Sequence, residues 1–509
     1  MKPTFCNPIV LPHYPSLRTL GGNDSGFPAL PPNTILEYQL FAEMGYSAAH
    51  TPSQVRRPCE NDVRATADPS PYYFEGKWWL YPTCGMIYSS TDLVHWEYHE
   101  EPTWAPISAP MAPTVEKVGQ LYVASANMLP VYVSDNPVGP WRCIGEWTLP
   151  DGRGLRCGDV MIFADDDGRA YLYFGLGQLI AGAELDPAQP NRLLTMPKVL
   201  LQYDPAHAWE RFGACNEDWS KGMLEGSWML KHGGSYYLVY SCAGTQFATY
   251  AMGCCRSGSP LGEFVPQRRN PVSLSRHGFI TGGGHGGFVR GPGDTLWVFY
   301  TIPVCVDDDM ERRIGMDAAG FDENGDLYAR TGCEVPQWAP GVLAQPQLGN
   351  ETGLVPLSRR KPTAASSYAP GQRPVYATDE AMDTWWQPAA HDAAPTLTVD
   401  LRGPYRAAAV RLLWKDIGLD LCGTALPGPY RYVVELADRL ESPWHTVVDA
   451  AANETDLTVD YRTFPPTPCQ LARLRILGAS AGITPGVLDF TVFGESCAKP
   501  QTEKEDTTC

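Results

Sequence analysis

Apolar and polar positions alternate over short runs through the first two-thirds of the chain. In "ADPSPYYFEGKWWLYPT", residues 67–83, two aromatic and β-branched-length runs flank the turn pair Glu75–Gly76. That pattern predicts an antiparallel hairpin. The same shape returns in "GQLYVASANMLPVYVSDNPVGPW" from Gly119, "GRAYLYFGLGQLIAGAEL" from Gly168, "GGSYYLVYSCAG" from Gly233 and "GDTLWVFYTIPV" from Gly293. Successive turn glycines are separated by 43, 49, 65 and 60 residues. A four-stranded blade with its loops takes about 40–50 residues, so the repeat predicts an all-β, five-bladed β-propeller over residues 1–345. Residues 1–60 precede the first repeat as an extension that the pattern assigns to no blade.

The pattern changes beyond the fifth repeat. Pro, Gly and Gln gather in residues 346–362, which reads as a linker. Alternation resumes in "TLTVDL" and "AVRLLW", which predicts strands within residues 363–495. The polar end, 496–509, is expected to be disordered.

Inside the first repeat sits an acid that packing does not explain. Asp68 heads an apolar strand, where burying a carboxylate is costly unless it is paired or solvated. Counting back from each turn glycine by eight or nine residues reaches Asp68, Met111, Asp159, Glu225 and His285. If the strands ahead of the turns are innermost, these positions are equivalent and all face the axis. Three carboxylates and an imidazole would then share one small volume. Taken singly, Asp68 before Pro69 would be an ordinary turn residue. Its equivalence with the others is what points to chemistry.

Composition narrows the rest. Gly 49 and Pro 47 among 509 residues favour turns over long helices, and 44% hydrophobic content supports large cores. A net charge of -18 argues against a nucleic-acid partner. No apolar run is long enough for a membrane span, and the start lacks a secretion-signal pattern. The 15 cysteines show no CxxC pair; Cys84, Cys143 and Cys242 fall in strand-like segments and read as small hydrophobes. A reducing cytoplasm is the expected location. "DDDG" at 165–168 and "DENG" at 322–325 read as hairpin turns, and Trp385–Trp386 as sandwich core.

Two carboxylates across a polar pocket, one protonated and one ionised, are the working parts of glycoside hydrolysis, and a third acid can separate their pKa values. The stretches "ADPSPYYFEGKWWLY", "MAPTVEKVGQLYVAS", "GDVMIFADDDGRAYLYFG", "EGSWMLKHGGSYYLVYS" and "GGGHGGFV" together resemble glycoside hydrolase family 43 over residues 60–330. The resemblance implies Asp68 as general base, Asp159 as pKa tuner and orienter, and Glu225 as general acid. It also implies Arg312 as a substrate contact, and His285 as an axial residue holding Ca2+ or Na+ through water, with no cofactor required. The expected activity is inverting, exo-acting release of arabinofuranose or xylose from oligosaccharide or polysaccharide. An exo-galactanase or other furanosidase is the alternative, and a catalytically inactive carbohydrate-binding propeller the alternative class. With "AASSYAPGQRPVYATDEAMDTWWQP", "LTVDLRGPYRAAAVRLLW", "ARLRIL" and "VLDFTVFG", residues 363–495 resemble a discoidin-like, coagulation-factor type C module, which implies a β-sandwich.

Overall fold

The computed structural model describes residues 2–17, 29–46, 62–83, 85–100, 111–421 and 423–496. Cys84, much of the 1–60 extension and the expected disordered tail beyond residue 496 lie outside the described residues. The chain divides into two compact units, Met1–Asn350 with Leu419–Leu426, and Glu351–Gly418 with Pro427–Cys509.

The first unit is a propeller-like ring of sheets. Its first sheet runs Ser70–Phe74, Lys77–Tyr81, Ile87–Ser90 and Trp96–His99. The second runs Thr114–Val118, Leu121–Ser125, Val131–Ser134 and Arg142–Gly145. The fourth runs Glu225–His232, Ser235–Cys242, Ala251–Ser257 and Val265–Pro266. The fifth runs Gly284–Arg290, Leu296–Pro303, Arg312–Phe321 and Leu327–Ala329. Within each, neighbouring strands are antiparallel.

The third repeat departs from this plan. Met161–Ala164, Ala170–Phe174, Leu179–Asp186 and Lys198–Gln202 belong to a larger, eight-stranded sheet. Four repeats are thus simple four-stranded blades, and one is built outward. The leading strands of all five sheets neighbour one another in a closed cycle, the fifth returning to the first. Middle strands are largely buried, and Leu296–Pro303 is buried along its whole length.

The described part of the N-terminal extension contributes strands to three sheets, one of them the small pair of Ser16–Leu17 with Val63–Arg64. Thr4–Phe5 pairs antiparallel with Gln337–Trp338. Asn7 then binds the third strand of the fifth sheet, donating to Met316 O at 3.1 Å and accepting from the Met316 N–H at 2.8 Å. Phe5, Ile9 and Leu11 pack with Leu80, Trp297 and Phe299 in one core cluster. Further on, Thr34–Leu36 pairs parallel with Gly154–Arg156 in the outer part of the third sheet. The helix Glu37–Glu43 follows directly and buries Leu40 and Phe41, with Phe41 stacked on Phe174 at 6.0 Å.

The second unit is a β-domain built on two long strands, Thr396–Ile417 and Val459–Gly478. Register shifts between Asp400 and Tyr405 and between Ala407 and Ala409 break the first of these into segments with different partners. Its start pairs with Thr363–Ala365, and its later part with Thr484–Ser496. Trp386 and Trp414 are fully buried, so Trp386 is core as expected, whereas Trp385 is only half-buried, with Lys415 Nζ over its ring at 4.7 Å.

Two expectations need correction. Residues 346–362 are more than a linker, because Val355–Pro356 pairs with Phe493 and Gly494 as an edge strand of the second unit. Cys143 is exposed rather than packed, since it lies on the outermost strand of the second sheet, whereas Cys242 is buried.

Candidate active site

Each leading strand enters the ring through one residue with left-handed backbone. These are Asp68 (φ 48), Ala112 (φ 47), Asp159 (φ 44), Gly226 (φ 57) and His285 (φ 34). Four carry a Cβ, and such a conformation costs about 1–3 kcal/mol per residue, a strain typical of functional sites. A recurrent hydrogen bond holds it. The Asp68 N–H donates to Thr301 Oγ1 at 2.9 Å, that of Ala112 to Thr83 Oγ1 at 2.9 Å, and that of His285 to Ser241 Oγ at 2.6 Å. In each case the hydroxyl comes from the second strand, or its end, of the preceding sheet in the ring. In the fourth sheet the acceptor is instead catalytically interesting: the Gly226 N–H donates to Asp159 Oδ2 at 3.3 Å.

This series corrects the sequence register at two places. Met111 and Glu225 do not occupy the slot of Asp68; Ala112 and Gly226 do, one residue later. The reason lies in the hairpins. Gly76 is the second residue of its two-residue turn, whereas Gly119 and Gly233 are the first of theirs. Glycine is required at 226, where a Cβ would stand 2.8 Å from the His285 ring. Glu225 therefore reaches the pocket from a different backbone position than the other two acids.

The structure brings all five predicted residues together. Arg312 Nη1 lies 3.1 Å and 3.2 Å from the two oxygens of Asp68, and 3.1 Å from Thr245 Oγ1. Thr83 donates its hydroxyl to Asp68 Oδ2. His285 Nδ1 stands 3.4 Å from Asp68 Oδ1 and 3.5 Å from Asp159 Oδ2. One donor atom each from Asp159, Glu225 and His285 falls within 4.8 Å of the others. The Tyr250 hydroxyl donates to Glu225 Oε1 at 2.6 Å.

These neighbours give the acids different proton affinities. Burial alone would raise Asp68, but Arg312, His285 and the Thr83 hydroxyl outweigh it and hold the carboxyl below its ordinary value. Burial pushes Glu225 up to about 7; Asp68 adds to the rise, while Tyr250 and Arg312 oppose it. Asp159 is raised well above its ordinary value by burial, then by the charges of Glu225, Asp68 and Glu37, with only the long Gly226 contact favouring its anion. Burial lowers His285, assisted by Arg312 and opposed by Asp68, so the imidazole is neutral near pH 7. Burial and Asp68 raise Glu225, and burial with the charges of Glu225 and Asp68 raises Asp159, so both carboxyls are pushed towards the protonated form.

Several participants had no signal in the sequence. Thr83, Thr245 and Tyr250 sit at strand ends or in loops without a motif, and only contact identifies them. Arg312 was expected at substrate; here it is also the counter-charge of Asp68. "DDDG" is a turn, with the Gly168 N–H donating to Asp165 O at 3.1 Å, and "DENG" closes the same way at 2.9 Å.

Comparison with known proteins agrees with the pocket's chemistry. The profile described as "Glycosyl hydrolases family 43" matches residues 81–325, a span holding Asp159, Glu225, His285 and Arg312 and beginning after Asp68. The chain is 26% identical over 300 residues to Beta-D-galactofuranosidase xynD of Aspergillus niger, covering 51% of this chain and 81% of that protein. It is 30% identical over 184 residues to a Beta-xylosidase of Xylanibacter ruminicola, covering 30% of this chain and 54% of that one. A solved structure described as a thermostable family-43 glycoside hydrolase aligns at 24% identity with a TM-score of 0.45, covering 54% of this chain and 96% of its own. Over residues 81–325 the first unit, a propeller-like ring, is thus similar to glycosyl hydrolases family 43.

Proposed function

We propose that this chain is an inverting, exo-acting glycosidase that removes terminal arabinofuranose or xylose from plant polysaccharide side chains or oligosaccharides. The observation that carries the reading is the opposed protonation of Asp68 and Glu225 in one pocket. Near pH 6, Asp68 is ionised and Glu225 still holds its proton, the pairing that inversion needs. Asp68 takes a proton from water as the water oxygen bonds to the anomeric carbon. The glycosidic C–O bond breaks on the opposite face, and Glu225 gives its proton to the departing oxygen. Exchange with solvent then returns Glu225 to the acid and Asp68 to the anion.

Asp159, whose carboxyl burial and its acidic neighbours raise well above the ordinary value, acts chiefly as an orienter. It accepts the Gly226 N–H beside Glu225 and lies next to His285. Arg312 keeps Asp68 ionised and is placed to meet a substrate hydroxyl. A cation ligated directly by Asp159, Glu225 and His285 does not suit this chemistry, since it would hold Glu225 ionised and remove the proton donor. No step is therefore routed through a metal.

Relatives named xylosidase, arabinoxylan arabinofuranohydrolase and xylosidase/arabinosidase support the choice of sugar. A second reading, hydrolysis of another furanoside, is favoured by the relative named galactofuranosidase. Turnover of nitrophenyl α-L-arabinofuranoside, β-D-xyloside and β-D-galactofuranoside separates them. Release from one of the first two is expected. Cleavage of the galactofuranoside alone would establish the second reading, and binding without cleavage of any would make the chain a carbohydrate-binding propeller.

A further inference from the structure

A fourth buried carboxyl group lies beside this pocket and comes from outside the ring of repeats. Glu37 is the first residue of the helix Glu37–Glu43 and is 8% exposed. Its Oε2 accepts the backbone N–H of Gly158 at 2.8 Å, and the carboxyl also accepts the N–H of Leu176. Gly158 immediately precedes Asp159 in the chain. Its carbonyl in turn receives the Gly175 N–H at 3.1 Å. One side chain thus ties together the loop entering the leading strand of the third sheet and the loop leaving its second strand.

Packing alone gives no reason for an acid here. The helix buries Leu40 and Phe41 in an apolar cluster with Phe174 and Leu155, so hydrophobic contact alone would favour an apolar side chain at 37, yet that side chain would leave the Gly158 and Leu176 N–H groups without their acceptor. Burial raises the Glu37 carboxyl to about 8, so the group is held at a cost. The approach is also fixed from both sides. Leu36, just before Glu37, is the register partner of Arg156, two residues before Gly158. Arg156 is itself buried and paired with Glu146 at 2.8 Å.

We propose that Glu37 is a positioning residue for Asp159: its carboxyl group fixes the Gly158 peptide, and through it the left-handed turn that aims Asp159 at Gly226 and His285. The inference rests on the role given to Asp159 above. It assigns to the N-terminal extension a part in building the active site. An oxygen acceptor is what the role requires, and a formal charge is not, because a neutral carboxyl or amide oxygen accepts an N–H equally in geometry.

The test uses the full chain and the nitrophenyl glycoside it cleaves fastest. Glu37→Gln keeps the acceptor, Glu37→Leu replaces it with apolar volume, and Glu37→Asp withdraws it by one methylene. Glu37→Gln should retain kcat within about threefold, whereas Glu37→Leu and Glu37→Asp should lose about tenfold or more with KM little changed. On an Asp159→Ala background the loss from Glu37→Leu should shrink to below about twofold, since coupled residues are not additive. The proposal is overturned if folded Glu37→Leu or Glu37→Asp keeps wild-type kcat. It is equally overturned if Glu37→Gln loses as much as they do, or if the losses add fully to that of Asp159→Ala. The parent reading fails separately: Asp159→Ala with unchanged turnover would remove Asp159 from the mechanism whatever Glu37 does.

Discussion

The hydroxyl of Tyr250 donates a 2.6 Å hydrogen bond to Oε1 of Glu225, inside a pocket where both residues are buried. This bond favours the ionised carboxylate and so opposes burial, which raises the group to about 7. Removing it with Tyr250→Phe leaves burial and Asp68 less opposed, and the Glu225 pKa should climb by about one unit, the worth of one such bond. An acid with a higher pKa keeps its proton to higher pH. The alkaline limb of kcat/KM should therefore move upward, with a modest loss at the optimum. A limb that stays in place or moves down would separate Tyr250 from the proton donor.

Arg312 acts in the opposite sense on Asp68. It is the largest of the influences that hold this carboxyl below its ordinary value. Arg312→Gln should let burial dominate and raise the Asp68 pKa. The base would then be lost to protonation at higher pH, so the acidic limb should rise. Substrate affinity is also expected to weaken, and the limb of kcat measured at saturation isolates the electrostatic part. An unmoved acidic limb would mean that Arg312 serves only the substrate.

Asp159 gives a prediction that divides charge from orientation. Its carboxyl is raised well above its ordinary value by burial and by the charges of Glu225 and Asp68, which favours the protonated form. If that form is the working one, Asp159→Asn exchanges one neutral group for another and the alkaline limb should stay near that of wild type. Asp159→Ala, which removes the acceptor of the Gly226 N–H, should lower kcat by about tenfold or more. A downward shift of the limb in Asp159→Asn would restore a negative Asp159 as the group that raises Glu225.

The sequence revealed the ring more readily than the wiring of the site. Turn glycines flanked by aromatic strands marked all five repeats, because hairpin chemistry is local. Counting back from them reached Asp68, Asp159 and His285, which share the left-handed slot. The count slipped at Met111 and Glu225 because a glycine may be either residue of a two-residue turn, and only strand pairing tells which. Tyr250, Thr83 and Thr245 were invisible for a different reason. They are ordinary polar residues that acquire a role only when neighbouring sheets bring them to a carboxylate. Glu37 was equally hidden, since its partner is the backbone of Gly158, 121 positions away. The outward growth of the third sheet was unreadable for a related reason: Thr34–Leu36 joins it by a parallel pairing across a long stretch of chain.

The division of labour between Asp68 and Glu225 is tested most directly by varying the leaving group. The same sugar is presented on a nitrophenyl group, which departs without protonation, and on an alkyl or sugar group, which needs it. Glu225→Gln should cost about 10²–10⁴ in kcat/KM on the alkyl glycoside and far less on the nitrophenyl glycoside. Asp68→Asn should cost both substrates alike, because water must be activated whichever group leaves. If the two variants instead show the same dependence on the leaving group, Asp68 and Glu225 are not the base and the acid of this enzyme.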